Sequence, residues 1–336
     1  MAHETKCTIL FDTQKCTQVS QSGGKGASLA RLSRAGFPVP PGFVISANAF
    51  DEFVHRNELG AEVEVILKRV KHEDINSVDR ASHEIQAMIL GAQIAEWLRE
   101  ETIRSYRKLH ARFVAVRSSA TAEDSKTASW AGELETYLNV TEKDLMVSVK
   151  KCWASLFTPR AIFYRFERYA DKRGSSRLRK TRRHADTEKT DSTSISVAVV
   201  VQEMIESEVS GVCFTVHPVT KDRNQMVIEA VWGLGEALVS GQITPDAYVV
   251  HKDDGAILDI NISEQEFAIT RGGRGNTEKI LIPSQGGKQK LTDRQIEKLA
   301  QLCRKIERHY RRPQDIEWAY VQGKFYILQS RPITTL

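Results

Sequence analysis

The sequence predicts an α+β chain of two lobes, and three observations carry that prediction. Segments of helical periodicity are mixed with β-rich runs, several consecutive runs read as antiparallel hairpins, and one polar, basic stretch at 171–194 interrupts the pattern. Residues 1–170 are therefore expected to form an N-terminal lobe, 171–194 an insertion, and 195–336 a C-terminal lobe.

The bulk composition narrows the class. Apolar residues make up 41% and charged residues 27% of the 336, too apolar for general disorder. The polar start, MAHETK, lacks the apolar region of a secretory signal, and the longest strongly apolar run, 197–201, is far short of a membrane span. Cys7, Cys16, Cys152, Cys213 and Cys303 are scattered without a CxxC pair, so neither a disulfide framework nor a zinc site is expected, and the expected compartment is the cytoplasm. The net charge of +5 invites a nucleic-acid reading. However, 171–194 carries eight Lys/Arg against four acids and so holds four of those five charges. The expectation is a solvated insertion, with a docking arm for an acidic partner as the alternative, and no nucleic-acid surface.

Taken in order, residues 8–19 read as a short strand and turn. SGGKGASLARL at 22–32 opens a helix with Ser22 as N-cap, which Gly36 and the prolines at 38, 40 and 41 stop. Helical patterns follow at 47–58, 60–71 and 78–109. Residues 113–117 form a buried strand that enters a polar loop, Ser118–Gly132; 134–140 is a strand and 142–169 a helix. Strands are expected at 196–204, 211–216, 226–230, 247–251 and 256–262, then a helix at 291–311 and a closing hairpin at 315–331.

The hairpin is the most informative segment. With a three-residue turn over 322–324, Glu317 faces Gln329 and Asp315 faces Arg331, all on one face. A two-residue turn would put the pairs on opposite faces. Two carboxylates and an amide oxygen suit Mg2+, and Arg331 suits a phosphate; the alternative is a polar face that meets water. Lys25 stands in a glycine-rich helix start whose N–H groups suit an anion, although the Walker A spacing is absent; the alternative is a flexible turn. A buried strand delivers Arg117 to a loop of small residues that lets backbone approach phosphate oxygens, unless it is a polar surface loop. Gln202, Glu203, Met204 and Ile205 end a Val-rich strand that offers main-chain groups to a purine, and Glu208 offers an acid to a ribose. An ordinary strand end is the competing reading.

Together these segments resemble the N-terminal nucleotide-binding domain of the phosphoenolpyruvate synthase / pyruvate phosphate dikinase family, which includes rifampicin phosphotransferases. The shared motifs are GGKGASLARL, PVPPGF, VAVRSSATAED, SWAGELETYLNV, LFTPRAIFYR, VAVVVQEMI, SGVCFT, WGLGEALVSGQITPD, DIEWA and ILQSRPIT, in family order from Gly23 to Pro332. The resemblance implies an ATP-grasp-like fold with ATP between the lobes. It implies that Lys25, Arg117 and Arg331 neutralise phosphates, and that the loop bearing Ser118, Thr121 and Gly132 closes over them. Gln202, Glu203, Met204 and Ile205 border adenine, Glu208 holds ribose, and Glu317 and Gln329 bind Mg2+ with Asp315 close by. Phosphoryl transfer needs charge neutralisation and in-line positioning more than a covalent group at such a site.

Three departures stand out: Glu133 after Gly132 where the family usually has Gln, His217 where Asp or Asn is usual, and the long 171–194 insertion. Family members pass the β-phosphoryl of ATP to a histidine on a separate domain and then to an acceptor. None of the nine histidines lies in such a carrier motif, so the chain is expected to need a phosphohistidine carrier domain and an acceptor-binding domain in trans or in a longer chain. The alternatives are the ATP-binding part of a rifampicin phosphotransferase-like enzyme and a stand-alone nucleotide-dependent regulatory protein.

Overall fold

The computed structural model describes residues 6–121, 135–163, 196–272, 277–281 and 284–334. Gly132 and the rest of the expected loop beyond Thr121 lie outside the described residues, as does the basic segment 171–194.

Two antiparallel sheets dominate. The first runs β1 (Thr8–Leu10), β2 (Gly42–Ile45), β5 (Val197–Glu203), β3 (Val114–Ala120) and β4 (Thr136–Val140) in spatial order β1-β2-β5-β3-β4. The second contains β6 (Val209–Phe214), β7 (Gln225–Trp232), β8 (Asp246–His251), β9 (Ile257–Asn261), β12 (Gln314–Val321) and β13 (Lys324–Pro332), in the order β13-β12-β6-β7-β8-β9. The α+β class is thus observed. β5 follows the insertion in sequence yet sits between β2 and β3, so the strand expected in the C-terminal lobe completes the first sheet instead. Its unbroken Val-Ala-Val-Val-Val run explains this, because a central strand covered on both faces needs apolar side chains on both.

One face of the first sheet packs on a cluster of helices, with Val114, Val116, Val197, Val199 and Val201 joined to Trp153, Phe53 and Ile85. α1 (Val19–Arg34) covers the other face, where Leu29 and Ala30 meet Val44, Ala198 and Val200. The helix expected at 78–109 is two: α4 (Ile75–Gly91) and α5 (Glu96–Lys108), which follow α2 (Ala47–Arg56) and α3 (Leu59–Arg69). The break falls after Gly91, where the Lys150 ammonium donates to the freed carbonyls of Leu90 and Ala92 and so satisfies the helix end. The helix expected at 142–169 begins as α6 (Leu145–Ala154), tightens into a 3-10 turn at Ser155–Phe157, and has its last expected residues outside those described.

The long helix α7 (Asp293–Tyr310) opens on a reciprocal cap between Thr292 and Gln295. It buries Ile296, Leu299, Cys303 and Ile306 against Ile228, Tyr248, Ile316, Trp318 and Ile327 of the second sheet. That packing turns the opposite face of the sheet, with Glu229, Glu317 and Gln329, toward α1 and the first sheet. A small hairpin, β10 (Phe267–Arg271) with β11 (Thr277–Leu281), was not expected from the sequence. All five cysteines are buried and none forms a disulfide.

Candidate functional site

The closing hairpin sets the geometry, by a route other than the one expected. Its turn holds two residues, Gln322 and Gly323, both with positive φ (49° and 79°), as in a type I′ turn. That turn alone would place Glu317 and Gln329 on opposite faces. The register shifts between Glu317 and Trp318, however, where the extra residue on β13 is Leu328. Beyond this bulge Glu317 does stand opposite Gln329, and Asp315 opposite Arg331.

The bulge also frees a carbonyl. Arg117 projects from β3 toward the hairpin, and its Nη1 donates to Leu328 O at 2.9 Å. Its Nη2 donates to Glu317 Oε2 at 2.9 Å and to Gln329 Oε1 at 2.7 Å. One buried guanidinium thus gathers three oxygens of the second sheet onto a residue of the first. Its Nε is buried without a partner. Arg331 instead engages Asp315 through Nε at 2.8 Å and Nη2 at 2.7 Å. Burial pushes the Asp315 carboxyl above the usual carboxylate range, opposed by Arg331 and reinforced by Glu317.

Register extends this face. Glu229 of β7 and Glu317 of β12 both lie opposite Val212, so the row Glu229, Val212, Glu317, Gln329 crosses four strands. Burial, then Asp315, raises the Glu229 pKa. On the first sheet, Arg117 lies opposite Val200 and Thr136, while Gln202 lies opposite Ala115, so all of these share one face. Gln202 is 2% exposed, yet its Nε2 has no partner. The sequence reading did not single out Thr136, Glu229 or the Leu328 carbonyl, since only strand register brings them to the site.

The glycine-rich segment differs from expectation. Gly23 breaks α1 with φ 64° and ψ 178°, and Ser22 is buried with its hydroxyl on Cys16 Sγ rather than capping the helix. A Cβ on Gly23 would lie 2.2 Å from Ser119 O, so this glycine is required for contact with β3. Ser119 Oγ donates to Ser22 O and accepts from Gly26 N, and this contact holds Lys25 with its Nζ 3.1 Å from Ser118 O. Ser118 and Ser119 are buried within β3, not displayed on a loop, because the strand runs on to Ala120. Thr121 is tied by both its N–H and its hydroxyl to Ser196 O.

Residues 203–208 join the two sheets. Glu203 N–H donates to Pro41 O, Met204 N–H to Phe113 O, and the Ile205 carbonyl accepts from Ser207 N–H, so several of these main-chain groups are already engaged. Burial raises the Glu203 pKa. Arg271 of the unexpected hairpin pairs with Glu206 and lies 4.5 Å over the Phe113 ring, closing one side of this connection. Glu208 is exposed and accepts from the Gln322 N–H, which steadies the hairpin turn. His217 also serves a turn, since its Nδ1 accepts from Val219 N–H and Thr220 N–H as an Asp or Asn oxygen would.

Among the described residues no three His, Cys, Asp or Glu side chains form a metal cluster. The oxygens that do converge, Glu317 Oε2 and Gln329 Oε1, already meet one cationic nitrogen. That arrangement fits a hard cation that takes few protein ligands and completes its shell with water and phosphate.

Residues 19–336 match the family model for the AMP/ATP-binding domain of pyruvate phosphate dikinase. The chain belongs to this family. Its relatives include the probable phosphoenolpyruvate synthase of Archaeoglobus fulgidus, 46% identical over 94% of this chain and 40% of that protein. The phosphoenolpyruvate synthase of Pyrococcus furiosus is 38% identical over 97% of this chain and 43% of its own length. The rifampicin phosphotransferase of Bacillus subtilis is 39% identical over 95% of this chain and 35% of that protein. This pyruvate phosphate dikinase-family chain thus spans less than half the length of these curated relatives. No helix among its described residues is long and apolar enough to cross a membrane.

Proposed function

We propose that this ATP-binding domain holds Mg-ATP in an ATP-grasp-like cleft between its two sheets and donates the β-phosphoryl group to a histidine on a separate carrier domain. The observation that carries the reading is the convergence of Arg117 from one sheet with Glu317 and Gln329 from the other. Lys25, Arg117 and Arg331 neutralise the phosphates, with Ser118, Thr121 and Gly132 also contributing. Gln202 offers its unpartnered buried amide at the base, beside main-chain groups of Glu203, Met204 and Ile205, and Glu208 approaches the ribose. Glu317 and Gln329 hold Mg2+, with Asp315 beside them; when bound, the ion neutralises charge on the transferring phosphate.

An acceptor-binding domain, in trans or in a longer chain, would complete the reaction. The synthases and the rifampicin phosphotransferase among the relatives point to pyruvate-type or rifamycin-type acceptors for it.

The test combines binding and transfer. ATP should bind saturably and depend on Mg2+, and Glu317→Ala should remove that dependence in a chain that still folds cooperatively. Arg117→Ala or Lys25→Ala should each weaken ATP by about 1.5–3 kcal/mol, the cost of a lost charge-assisted contact. With β-labelled ATP and carrier domains from either kind of relative, label should reach the carrier histidine. No labelled histidine with any carrier would refute the transfer.

A further inference from the structure

Arg117 occupies the oxygens assigned above to the metal. We infer that its guanidinium is a built-in competitor for the divalent cation, so that Glu317 and Gln329 accept a metal only when ATP phosphates draw Arg117 away. The inference rests on the reading of Glu317 and Gln329 as metal ligands.

Three observations support it. First, Glu317 Oε2 and Gln329 Oε1 meet the same nitrogen, Arg117 Nη2, at 2.9 and 2.7 Å. An arginine only donates hydrogen bonds, so both oxygens point at positive charge, as they would toward a metal. A divalent cation at those oxygens would face the guanidinium across a partly dehydrated gap, since the Arg117 side chain is only 10% exposed. The two cannot share the pair.

Second, the bulge at Leu328 supplies a third acceptor, its carbonyl, to Nη1 at 2.9 Å. Leu328 and Gln329 lie on β13 and Glu317 on β12, while Arg117 comes from the first sheet. Displacing Arg117 therefore releases a contact between the sheets as well as the metal ligands.

Third, the clasp is incomplete. Arg117 Nε is buried without a partner, so this arrangement leaves part of the arginine's hydrogen-bonding capacity unmet and its desolvation uncompensated. A phosphate oxygen could satisfy it. Of the other two cations assigned to the site, Arg331 is engaged with Asp315, and Lys25 Nζ reaches Ser118 O.

The experiment measures Mn2+ alone, by electron paramagnetic resonance, against nucleotide-free full chain, in the wild type, Arg117→Met, and Arg117→Met with Glu317→Gln. Arg117→Met should bind Mn2+ roughly ten- to hundredfold more tightly than wild type, the value of the charge-assisted bonds that no longer compete. The same variant should lose ATP affinity. The double variant should lose the gained Mn2+ site. Arg117→Lys, which cannot reproduce the planar fork, should fall between wild type and Arg117→Met and stands in if the methionine variant does not fold.

Equal Mn2+ affinity in wild type and a folded Arg117→Met, or a gain that survives Glu317→Gln, would overturn the inference. Failure of the underlying reading has a different signature. ATP binding in the otherwise wild-type chain would then be indifferent to Mg2+ and to Glu317→Gln.

Discussion

Gly23→Ala separates two explanations of the glycine-rich segment. Were these glycines present to let phosphate approach the backbone, the substitution would weaken ATP and leave stability nearly unchanged. The structure gives the opposite expectation. Gly23 sits at φ 64°, ψ 178°, a region populated essentially by glycine alone, and its added Cβ would lie 2.2 Å from Ser119 O and 2.3 Å from Ser119 Oγ. Ser119 is fully buried in β3, so the strand has no room to retreat. Backbone strain of about 1–3 kcal/mol and overpacking of a similar size give about 2–6 kcal/mol of destabilisation. At about 2–4 °C per kcal/mol, which suits domains somewhat smaller than this one, the transition should fall by roughly 5–20 °C. Calorimetry and urea unfolding measure this, with ATP titration on the same sample. Gly26→Ala is the control: its Cβ would lie 2.9 Å from a Val44 side chain rather than from backbone, and its φ is not positive, so a smaller loss is expected. A Gly23→Ala protein as stable as wild type would refute the packing argument.

The remaining predictions concern other parts of the molecule. Lys290→Met should cost about 3–5 kcal/mol in urea unfolding, because Lys290 and Asp246 form a fully buried ion pair at 2.8 Å whose removal strands a carboxylate and the carbonyls of Ser263 and Gly286; a loss below about 1 kcal/mol would contradict this. Burial raises the Glu229 pKa, so the folded state keeps that proton to higher pH than the unfolded chain does, and stability drains away as pH rises above the ordinary glutamate value. Glu229→Gln should therefore gain stability relative to wild type as pH rises above the ordinary glutamate value, and a pH-independent difference would count against desolvation. Gln322→Asn should stabilise by on the order of 0.5 kcal/mol, since asparagine tolerates the left-handed turn position better; unchanged thermal unfolding would argue against strain there.

What was legible in the sequence follows how local its cause is. Helix α7 shows itself through Thr292, Gln295 and the spacing of Ile296, Leu299, Cys303 and Ile306, all within one segment. The Val197–Val201 run marks a strand for the same reason, but which sheet it joins depends on pairing with β2 and β3, far away in the chain. The β10–β11 hairpin was missed although RGGRGN sits between two β-prone runs, a glycine-rich turn signal that could have marked it. The buried Lys290–Asp246 pair had no signal, for a lysine and an aspartate 44 residues apart look like two surface charges until a fold encloses them.

The closing hairpin shows why a correct pairing can come from an incorrect turn. Alternation groups Asp315 with Glu317, away from Ile316 and Trp318 on α7, and groups Gln329 with Arg331, but in a regular strand Gln329 would share the face of Ile327, which is buried against α7. Turn length and strand regularity together decide whether the two groups share a face. With regular strands, a three-residue turn is what brings them together. The chain instead adopts the two-residue turn suited to strand twist, and it recovers the parity with one extra residue at Leu328. The correction is not neutral for the site. A regular ladder would have spent the Leu328 carbonyl on β12, whereas the bulge turns it to Arg117 and gives the guanidinium its third oxygen. The irregularity invisible in the alternating pattern is therefore one that ties the second sheet to Arg117 of the first.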